Sequence, residues 1–493
     1  MSAYADLEAR CGRLMRLDDA IEVLHWDMAA MMPAGGSDAR AEQLATLSVL
    51  RHELATDAKL GELIAAAEGE ALDEWQAANL RRIGRRFVHD TALPAALVEA
   101  VSRATSTCER VWRSARAAND FAGLRPHLET VVALAAEAAA AKGEALGLPP
   151  YEALLDAYDP GRSVASVDAL FGDLATWLPG LIDAVIARQA KRPAAVAAKG
   201  PFPAEKQAAL GRRVMAALGF DFEHGRLDTS HHPFCGGAPD DVRITTRYDE
   251  QDPARGLLGV VHETGHALYE RGLPAAWRYQ PVGRAGSMAI HESQSLFMEM
   301  QVGRGRGFIE FLSPLLGEVL GDDPAWAPDN LHRLYTRVER GLIRVDADEV
   351  TYPAHVVLRY RLERALMAGS LTVADLPEAW RAGMVELVGI APPDDKDGCM
   401  QDIHWVAGLF GYFPTYTLGA MAAAQLFRAA AGALGDVQGE VAKGDFSRLR
   451  GWLGEHVHGV GSRLSSDALL TAATGAPLGT GAFRAHLEAR YLG

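Results

Sequence analysis

Apolar residues recur at helical spacing along most of the chain, and this pattern predicts a mainly α-helical protein. From the N-terminus to about Gly219 the sequence is dominated by alanine, leucine, glutamate and arginine, which favour helices, while the alternation typical of strands is scarce. Segments rich in glycine and proline should separate the helices, and the clearest lie at 31–38, 147–152 and 192–203.

A different pattern appears between Ser230 and Glu250, directly before a further helical stretch. Glycines and prolines interrupt it, and β-branched residues alternate in the sequence VRITTRY at 242–248. We expect a short strand or hairpin here, whose free edge could pair with an extended peptide. An ordinary connecting loop is the alternative interpretation.

The stretch from Gly256 to Gly272 carries the strongest chemical signal, and its apolar spacing predicts a helix that ends at Gly272. His262 and His266 lie four residues apart, so both imidazoles project from one helical face and can reach one metal ion. Glu263 completes the HExxH arrangement of two zinc ligands and a general base. Two core histidines bonded to carbonyl groups would be the purely structural alternative.

A third ligand is expected from the following segment, which reads SMAIHESQSLFMEMQVG. A carboxylate at Glu292 would complete a catalytic site with three protein ligands. Glu299 follows seven residues later on the same helical face, so it could hydrogen-bond a ligating histidine. His291 is the competing ligand, although on an ideal helix it points about 100° away from Glu292.

A later apolar stretch, GLIRVDADEVTYPAHVVLRYRLE, contains an unusual density of polar side chains, among them Arg344, His355 and Arg359. Charged residues are seldom buried unless they are paired, so these side chains form a network or line a wet cavity.

Composition and charge narrow the class of protein. The 493 residues carry 49 basic and 64 acidic side chains, a net charge of −15, which argues against nucleic acid or an anionic membrane as a partner. The four cysteines form no CxxC pair, as expected in a reducing compartment. Because neither a signal peptide nor an uncharged run of roughly 20 residues is visible, we expect a cytoplasmic protein without a membrane span.

Six short motifs occur between residues 232 and 405 of the chain. They are HPF at 232–234, DxRxT at 241–245, HExxH at 262–266, HESQ at 291–294, IRxxAD at 343–348 and GxxQDxHW at 398–405. In sequence and in order, this set resembles that of the carboxypeptidase Taq family of metallocarboxypeptidases, peptidase family M32, and the resemblance covers essentially the whole chain. The segment 26–40 resembles the family's opening segment, except that Ala29 and Ala30 stand where more polar residues are expected.

The resemblance implies a large, mainly helical, zincin-like metallopeptidase with a deep substrate groove and a small β-sheet near the active site. It implies a single catalytic unit, 1–493, in which 1–219 forms one wall of the groove and 220–493 carries the metal site and the substrate-binding part. It also implies one Zn²⁺ per chain, held by His262, His266 and Glu292, with Co²⁺ as a substitute, and a homodimer.

The expected reaction is the release of C-terminal amino acids from peptides by metal-activated water, with Glu263 as general base. Three side chains are candidates for stabilising the oxyanion, namely His232, His404 and Tyr412.

Selectivity for a free C-terminus requires a cation for the terminal carboxylate, and the planar fork of an arginine can bind a carboxylate in a bidentate manner. Arg344 is the first candidate and Arg243 the second. Either arginine could instead be only a structural partner of a nearby aspartate.

Three other functions must be weighed against this prediction. A metallo-oligopeptidase or endopeptidase would use the same metal site without a carboxylate anchor. A catalytically silent, zinc-bound peptide-binding protein would be expected to have four protein ligands, often including cysteine, and no cysteine is suitably placed. A cysteine hydrolase acting through Cys235 would have only its neighbours His231 and His232 as a base.

Overall fold

The computed structural model describes residues 2–493 and confirms the prediction of a mainly helical protein with a small sheet. The chain forms two compact units, each assembled from three segments. The first unit contains residues 2–90, Ala194–Tyr335 and Gly419–Leu478, and the second contains Thr91–Pro193, Thr336–Leu418 and Gly479–Gly493. Neither unit coincides with the predicted parts 1–219 and 220–493, and a single catalytic unit over 1–493 stays a prediction.

The first unit contains the sheet and most of the helices. Its helices are α1 (Ala3–Ala30), α2 (Ser37–Ala55), α3 (Ala58–Ala67), α4 (Glu74–Thr91), α9 (Ala204–Leu218), α10 (Pro253–Gly272), α11 (Met288–Leu296), α12 (Arg306–Leu320), α13 (Pro328–Tyr335), α17 (Val437–Ala442), α18 (Ser447–His456) and α19 (Ser466–Thr474). Helix α11 continues directly into a π-helical turn, Phe297–Gly303.

The second unit is built from helices and irregular segments. Its helices are α5 (Ala95–Ala118), α6 (Phe121–Leu146), α7 (Pro150–Asp156), α8 (Val164–Gln189), α14 (Tyr352–Met367), α15 (Leu376–Leu387) and α20 (Thr480–Leu492). Helix α16 (Pro414–Leu434) begins in this unit and continues into the first.

The predicted helix breaks agree with the structure. Helices α1 and α6 end at Ala30 and Leu146, directly before the breaks at 31–38 and 147–152, and α8 ends at Gln189, two residues short of the break at 192–203. After α6, Gly147 adopts a φ of +66°, and its N–H bonds to the last turn of the helix. This left-handed conformation favours glycine and ends the helix.

The sheet packs against α10, which carries the HExxH sequence. Its strands are β1 (Gly225–Thr229), β2 (Phe234–Ala238) and β3 (Asp241–Thr246), with β3 in the centre, parallel to β1 and antiparallel to β2. The hairpin predicted within 230–250 is therefore present as β2 and β3, whereas β1 was not predicted. Val242 and Ile244 of β3 are buried in one cluster with Val260 and Ala267 of α10. The burial of this sheet face fixes where α10 lies in the unit.

Helices α10 and α11 both begin at well-formed caps. The Asp252 side chain accepts a hydrogen bond from the N–H of Ala254, and Pro253 occupies the first helical position of α10. The Ser287 hydroxyl accepts from the N–H of Ile290 at the start of α11. These caps set the starting points of the two helices that carry the predicted metal ligands.

Within the described residues 2–493, one helix, α8, is long and apolar enough to cross a membrane by length and composition alone. It contains three aspartates, and its buried residues, such as Phe171 and Leu178, lie in the core of the second unit. The core helix of a globular protein passes the same test of length and hydropathy, so α8 is weak evidence for a membrane span.

Candidate active site

The structure brings the three predicted metal ligands together. His262 and His266 project from one face of α10, with ring centroids 5.0 Å apart. The Glu292 Oε2 atom, from α11, lies 4.0 Å from His262 Nε2 and 3.5 Å from His266 Nε2. One donor atom from each of the three residues lies within 4.8 Å of the other two.

This donor set fits a divalent cation of the zinc type. Two imidazole nitrogens and one carboxylate oxygen are typical protein ligands of a catalytic zinc ion. Atoms that each bind a common ion at about 2.0–2.2 Å are separated by no more than about 4.3 Å. The two measured nitrogen–oxygen separations satisfy this limit.

The second ring nitrogen of His262 is held by a carboxylate, as the sequence predicted. Glu299 Oε2 lies 3.0 Å from His262 Nδ1, and Arg304 donates to Glu299 Oε1 over 2.7 Å. Arg304 also donates to the carbonyl oxygen of Tyr335. Burial alone would raise the pKa of Glu299, but the bonds from His262 and Arg304 lower it to about 2. Glu299 is thus an ionised acceptor that orients His262.

His266 is held differently, by contacts that its sequence neighbourhood did not predict. His291 Nδ1 lies 2.7 Å from His266 Nδ1, and His291 Nε2 lies 2.8 Å from Glu270 Oε1. His291 therefore contacts the side of His266 that faces away from Glu292 and is not a member of the ligand group. The sequence could have indicated Glu270 as a residue that supports His266, because it lies four residues later on the same face of α10.

Glu263 lies next to the ligands on α10 and is almost fully buried, with 6% of its surface exposed. Burial raises the pKa of its carboxyl group to about 7, an effect that the neighbouring His262 opposes. A carboxylate with a pKa near neutrality is suited to accepting and returning a proton.

Small residues allow the helices to approach closely at this site. A Cβ atom on Gly265 of α10 would lie 2.4 Å from the carbonyl oxygen of Gln294 in α11. A Cβ atom on Gly419 of α16 would lie 2.9 Å from the Cβ and Cγ atoms of Glu292. Glycine at these two positions leaves the space that Glu292 and α11 occupy.

Arg344, in the second unit, belongs to a buried ion cluster. Its guanidinium group bonds to Asp402 Oδ1 at 2.9–3.0 Å, while the Nε atom of Arg359 donates to Asp402 Oδ2 over 2.6 Å. Gln401 Oε1 accepts from the backbone N–H of Arg344 and from Arg359, both at 2.8 Å. The predicted polar network is therefore present. Arg344 is 5% exposed and Arg359 is fully buried.

The cluster carries an excess of positive charge. Burial opposes ionisation of Asp402, but Arg359 and Arg344 hold its pKa well below its usual range. Burial, together with the same two arginines, lowers the pKa of His355 to about 3, so this imidazole is neutral. Two guanidinium groups then face one carboxylate, and the cluster has a net charge of about +1.

Two of the three oxyanion candidates also lie in the second unit. Burial and the nearby Arg344 lower the pKa of His404 to about 3, and its Nε2 atom lies 3.0 Å from the hydroxyl group of Tyr416. The ring centroid of Tyr412 lies 5.8 Å from that of His404. Buried Glu363 accepts from Trp405 Nε1 and from the N–H of Gly411, which fixes the segment that carries both candidates.

The other two predicted residues lie in the first unit, near the sheet. Arg243 forms a bidentate ion pair with Asp241, at 2.9 and 2.6 Å, and its guanidinium group lies 4.4 Å from the ring centroid of Trp26. This arrangement matches the structural alternative that the sequence left open for Arg243. His232 precedes β2 and is exposed. Their roles in the reaction stay predictions.

The fold and the convergence of two histidines and a glutamate define a mainly helical metallopeptidase, and comparisons with known proteins identify its family. The sequence profile described as "Carboxypeptidase Taq (M32) metallopeptidase" matches residues 6–491. The chain belongs to this family, whose members are metallocarboxypeptidases, a class of peptide hydrolase.

Individual relatives agree with this assignment over nearly the full length of the chain. The sequence is 41% identical over 478 residues to thermostable carboxypeptidase 1 of Thermus thermophilus, covering 94% of each protein. Among solved structures, metallocarboxypeptidase 1 of Trypanosoma cruzi superposes with a TM-score of 0.98, at 44% identity and 99% coverage of both chains. The M32 carboxypeptidase of Deinococcus radiodurans R1 superposes with a TM-score of 0.93, at 37% identity, covering 99% of this chain and 98% of its own.

Proposed function

We propose that this metallocarboxypeptidase releases C-terminal residues from peptides at a zinc-type centre held by His262, His266 and Glu292, with Glu263 as general base. The observation that carries the proposal is the convergence of Glu292 Oε2 on both Nε2 atoms, at 4.0 and 3.5 Å, beside a buried carboxyl group. When bound, a divalent ion of this type supplies a Lewis acid that lowers the pKa of water and polarises a carbonyl group.

Glu263 performs the proton transfers in this proposal. Its carboxylate accepts a proton from the attacking water and then donates it to the nitrogen of the leaving amino acid. Burial supports this role, because a pKa near 7 makes the carboxyl group a stronger base than an exposed glutamate. His232, His404 and Tyr412 all stay candidates for the oxyanion donor, since a neutral imidazole and a phenol can each donate a hydrogen bond.

Arg344 is the proposed anchor for the terminal carboxylate of the peptide. The buried cluster of Arg344, Arg359 and Asp402 has one positive charge in excess, and an incoming carboxylate would compensate it. By contrast, the bidentate pair of Arg243 and Asp241 has no net charge that an incoming carboxylate could compensate. The excess charge therefore supports Arg344 over Arg243 as the carboxylate anchor, the same order that the sequence suggested.

Glu263→Gln tests the assignment of the base. We expect the turnover number to fall by at least about 10²–10⁴-fold, the usual contribution of a general base, while zinc affinity stays within a few-fold of the wild type. Exposed Glu223→Gln is a matched control that should change neither quantity. Turnover at the wild-type rate in Glu263→Gln would refute the role of the carboxylate.

A pair of peptides that differ only in C-terminal amidation tests the anchor. Mass spectrometry should show single residues leaving the free peptide, whereas the amidated peptide reacts much more slowly. Arg344→Met should lower kcat/KM for the free peptide by about 10–100-fold, because a charge-assisted hydrogen bond contributes about 1.5–3 kcal/mol. Arg337→Met, at an exposed arginine of the same unit, is the control. Equal cleavage of both peptides by the wild type, or internal cleavage, would indicate an endopeptidase instead.

We further propose that the resident metal is Zn²⁺, with Co²⁺ as an active substitute, and that the protein is a cytoplasmic homodimer. The mixed nitrogen and oxygen donor set supports zinc, and four free cysteines support a reducing compartment. Elemental analysis of the purified protein tests the metal, and light scattering tests the dimer. Activity that survives complete removal of divalent ions by a chelator would contradict a metal-dependent reaction.

A further inference from the structure

We propose that His291 and Glu270 form a hydrogen-bonded relay that holds His266 in the tautomer needed to bind the metal. The inference deepens the proposed function, since it depends on His266 being a ligand. Neither His291 nor Glu270 belongs to the predicted ligand set. Both act through another residue, so they are positioning residues rather than catalytic ones.

The positions of the protons follow from the contacts. His266 Nε2 faces Glu292 at 3.5 Å, so this nitrogen offers its lone pair to the ion and the ring proton must be on Nδ1. Nδ1 then donates to His291 Nδ1, 2.7 Å away. A neutral imidazole has one N–H group, so an accepting Nδ1 in His291 requires the proton to be on Nε2.

The far end of the relay explains why this arrangement is stable. His291 Nε2 lies 2.8 Å from Glu270 Oε1, and an ionised carboxylate can only accept. Glu270 therefore fixes the tautomer of His291, and His291 in turn fixes that of His266. The side chains of His291 and Glu270 are 14% and 23% exposed, so water competes little for these bonds.

The relay also connects two helices. His266 and Glu270 belong to α10, whereas His291 belongs to α11 and directly precedes Glu292. The rings of His266 and His291 pack against each other with centroids 4.6 Å apart. The contacts that orient His266 thus also hold the α11 backbone at His291, next to Glu292. The orientation of one ligand and its distance from another therefore depend on the same contacts.

The two histidine ligands are consequently supported in different ways. Glu299 accepts directly from His262, with no intervening residue. Glu270 reaches His266 only through the imidazole ring of His291. Loss of an outer partner of a metal ligand typically weakens metal binding by 10–100-fold. The relay predicts a loss of this size when either of its two links is removed.

Cobalt titration of the metal-free enzyme, followed by visible absorption and without any peptide, tests the relay. In Glu270→Leu, which removes the acceptor, and in His291→Phe, which removes both ring nitrogens, the dissociation constant for Co²⁺ should rise by 10–100-fold. Glu270→Gln retains an amide oxygen that can accept from His291, so its dissociation constant should rise less than that of Glu270→Leu. Glu223→Gln should leave the constant within twofold of the wild type.

The tautomers themselves can be observed in the wild-type enzyme by ¹⁵N NMR of labelled histidines after zinc loading. We expect His266 to be protonated at Nδ1, and His291 at Nε2 only. Thermal unfolding of the metal-free variants shows whether each one is folded. If a variant is unfolded, the histidine tautomers in the wild-type spectrum decide whether the relay exists.

Wild-type protein that binds no Co²⁺ would overturn the metal centre itself. Normal wild-type binding, with an unchanged constant in either Glu270→Leu or His291→Phe, would overturn only the relay. A His291 ring protonated at Nδ1 would also overturn the relay.

Discussion

A methyl group added at Gly265 should separate the two helices that carry the proposed metal ligands. In Gly265→Ala the new Cβ atom would lie 2.4 Å from the carbonyl oxygen of Gln294 and 2.7 Å from the Cα atom of Ser295. Both are backbone atoms of α11, so no side-chain rotation can relieve the clash. Ordinary van der Waals contact begins at 3.4 Å, so α10 and α11 must move apart by about 1 Å, from 3.4 − 2.4.

That displacement is large compared with the tolerance of a metal site. Ligand distances are usually satisfied within about 0.2 Å, and the separations from Glu292 to His262 and His266 are already 4.0 and 3.5 Å. A further 1 Å would bring the longer separation to about 5 Å, which exceeds the roughly 4.3 Å that two bonds to one ion can span. We expect the affinity for Zn²⁺ or Co²⁺ to fall by at least about tenfold, comparable to the loss of an outer ligand partner.

The effect on stability should be smaller than the effect on metal binding. Overpacking usually costs about 1–3 kcal/mol, and alanine in place of glycine within a helix returns up to about 1 kcal/mol. We therefore expect the metal-free variant to lose about 0–2 kcal/mol of unfolding free energy, measured by urea denaturation. It should remain folded while its metal affinity falls.

Gly259→Ala is the matched control, because Gly259 lies on the same helix and its added Cβ atom would meet only the Thr246 hydroxyl oxygen, at 3.5 Å. This variant should bind metal as the wild type does and be equally stable or up to about 1 kcal/mol more stable. Cobalt titration and chelator competition measure both affinities. If Gly265→Ala and Gly259→Ala bind metal with the same constant, close helix contact does not set the ligand spacing.

Two further predictions concern the second unit. Asp402→Asn leaves two buried guanidinium groups without their carboxylate. The free energy of unfolding, measured by urea denaturation, should therefore fall by about 3 kcal/mol or more. A fall below about 1 kcal/mol would contradict the ion cluster. Burial raises the pKa of Glu363 to about 7, so between about pH 4.5 and 7 the native state retains a proton that the unfolded state releases. Its contribution to stability is present at the acidic end of that range and is lost as the pH rises through 7. Glu363→Gln should remove this part of the pH dependence, and identical slopes in both proteins would show that Glu363 is not its source.

The parts of the site that the sequence predicted are those governed by local geometry. The four-residue spacing of His262 and His266 places both rings on one helical face, whatever the rest of the chain does. The seven-residue spacing of Glu292 and Glu299 likewise predicted that both carboxylates lie on one side of their segment, and the structure brings one to each end of the His262 ring. The histidine spacing depends only on the α-helical repeat and could be predicted before any tertiary contact was known. Glu299 stands in the π-helical turn Phe297–Gly303, whose repeat differs, so the spacing alone does not fix its direction.

Contacts between distant segments could not be predicted in the same way. The polar residues of 341–363 suggested a network or a wet cavity, but nothing local indicates that Arg344 and Arg359 share Asp402, more than 40 residues further along the chain. Strand β1 was missed for a related reason. Its sequence, GRLDT, lacks the apolar alternation of a typical strand, and only its pairing with β3 makes it one.

For His291, the helical angle predicted that it is not a ligand but did not reveal its contact with His266. Its position about 100° from Glu292 on α11 argued that the two do not bind one ion together, and the structure agrees, but that direction takes its ring to the far nitrogen of His266. A ligating imidazole has two nitrogens, so each histidine ligand needs an acceptor on the side opposite the ion. For His266, Glu270 lies four residues later on the same helix and reaches this far nitrogen through His291. For His262, the residue four positions later is His266 itself. The carboxylate that accepts from His262 must therefore come from another segment, and it is Glu299.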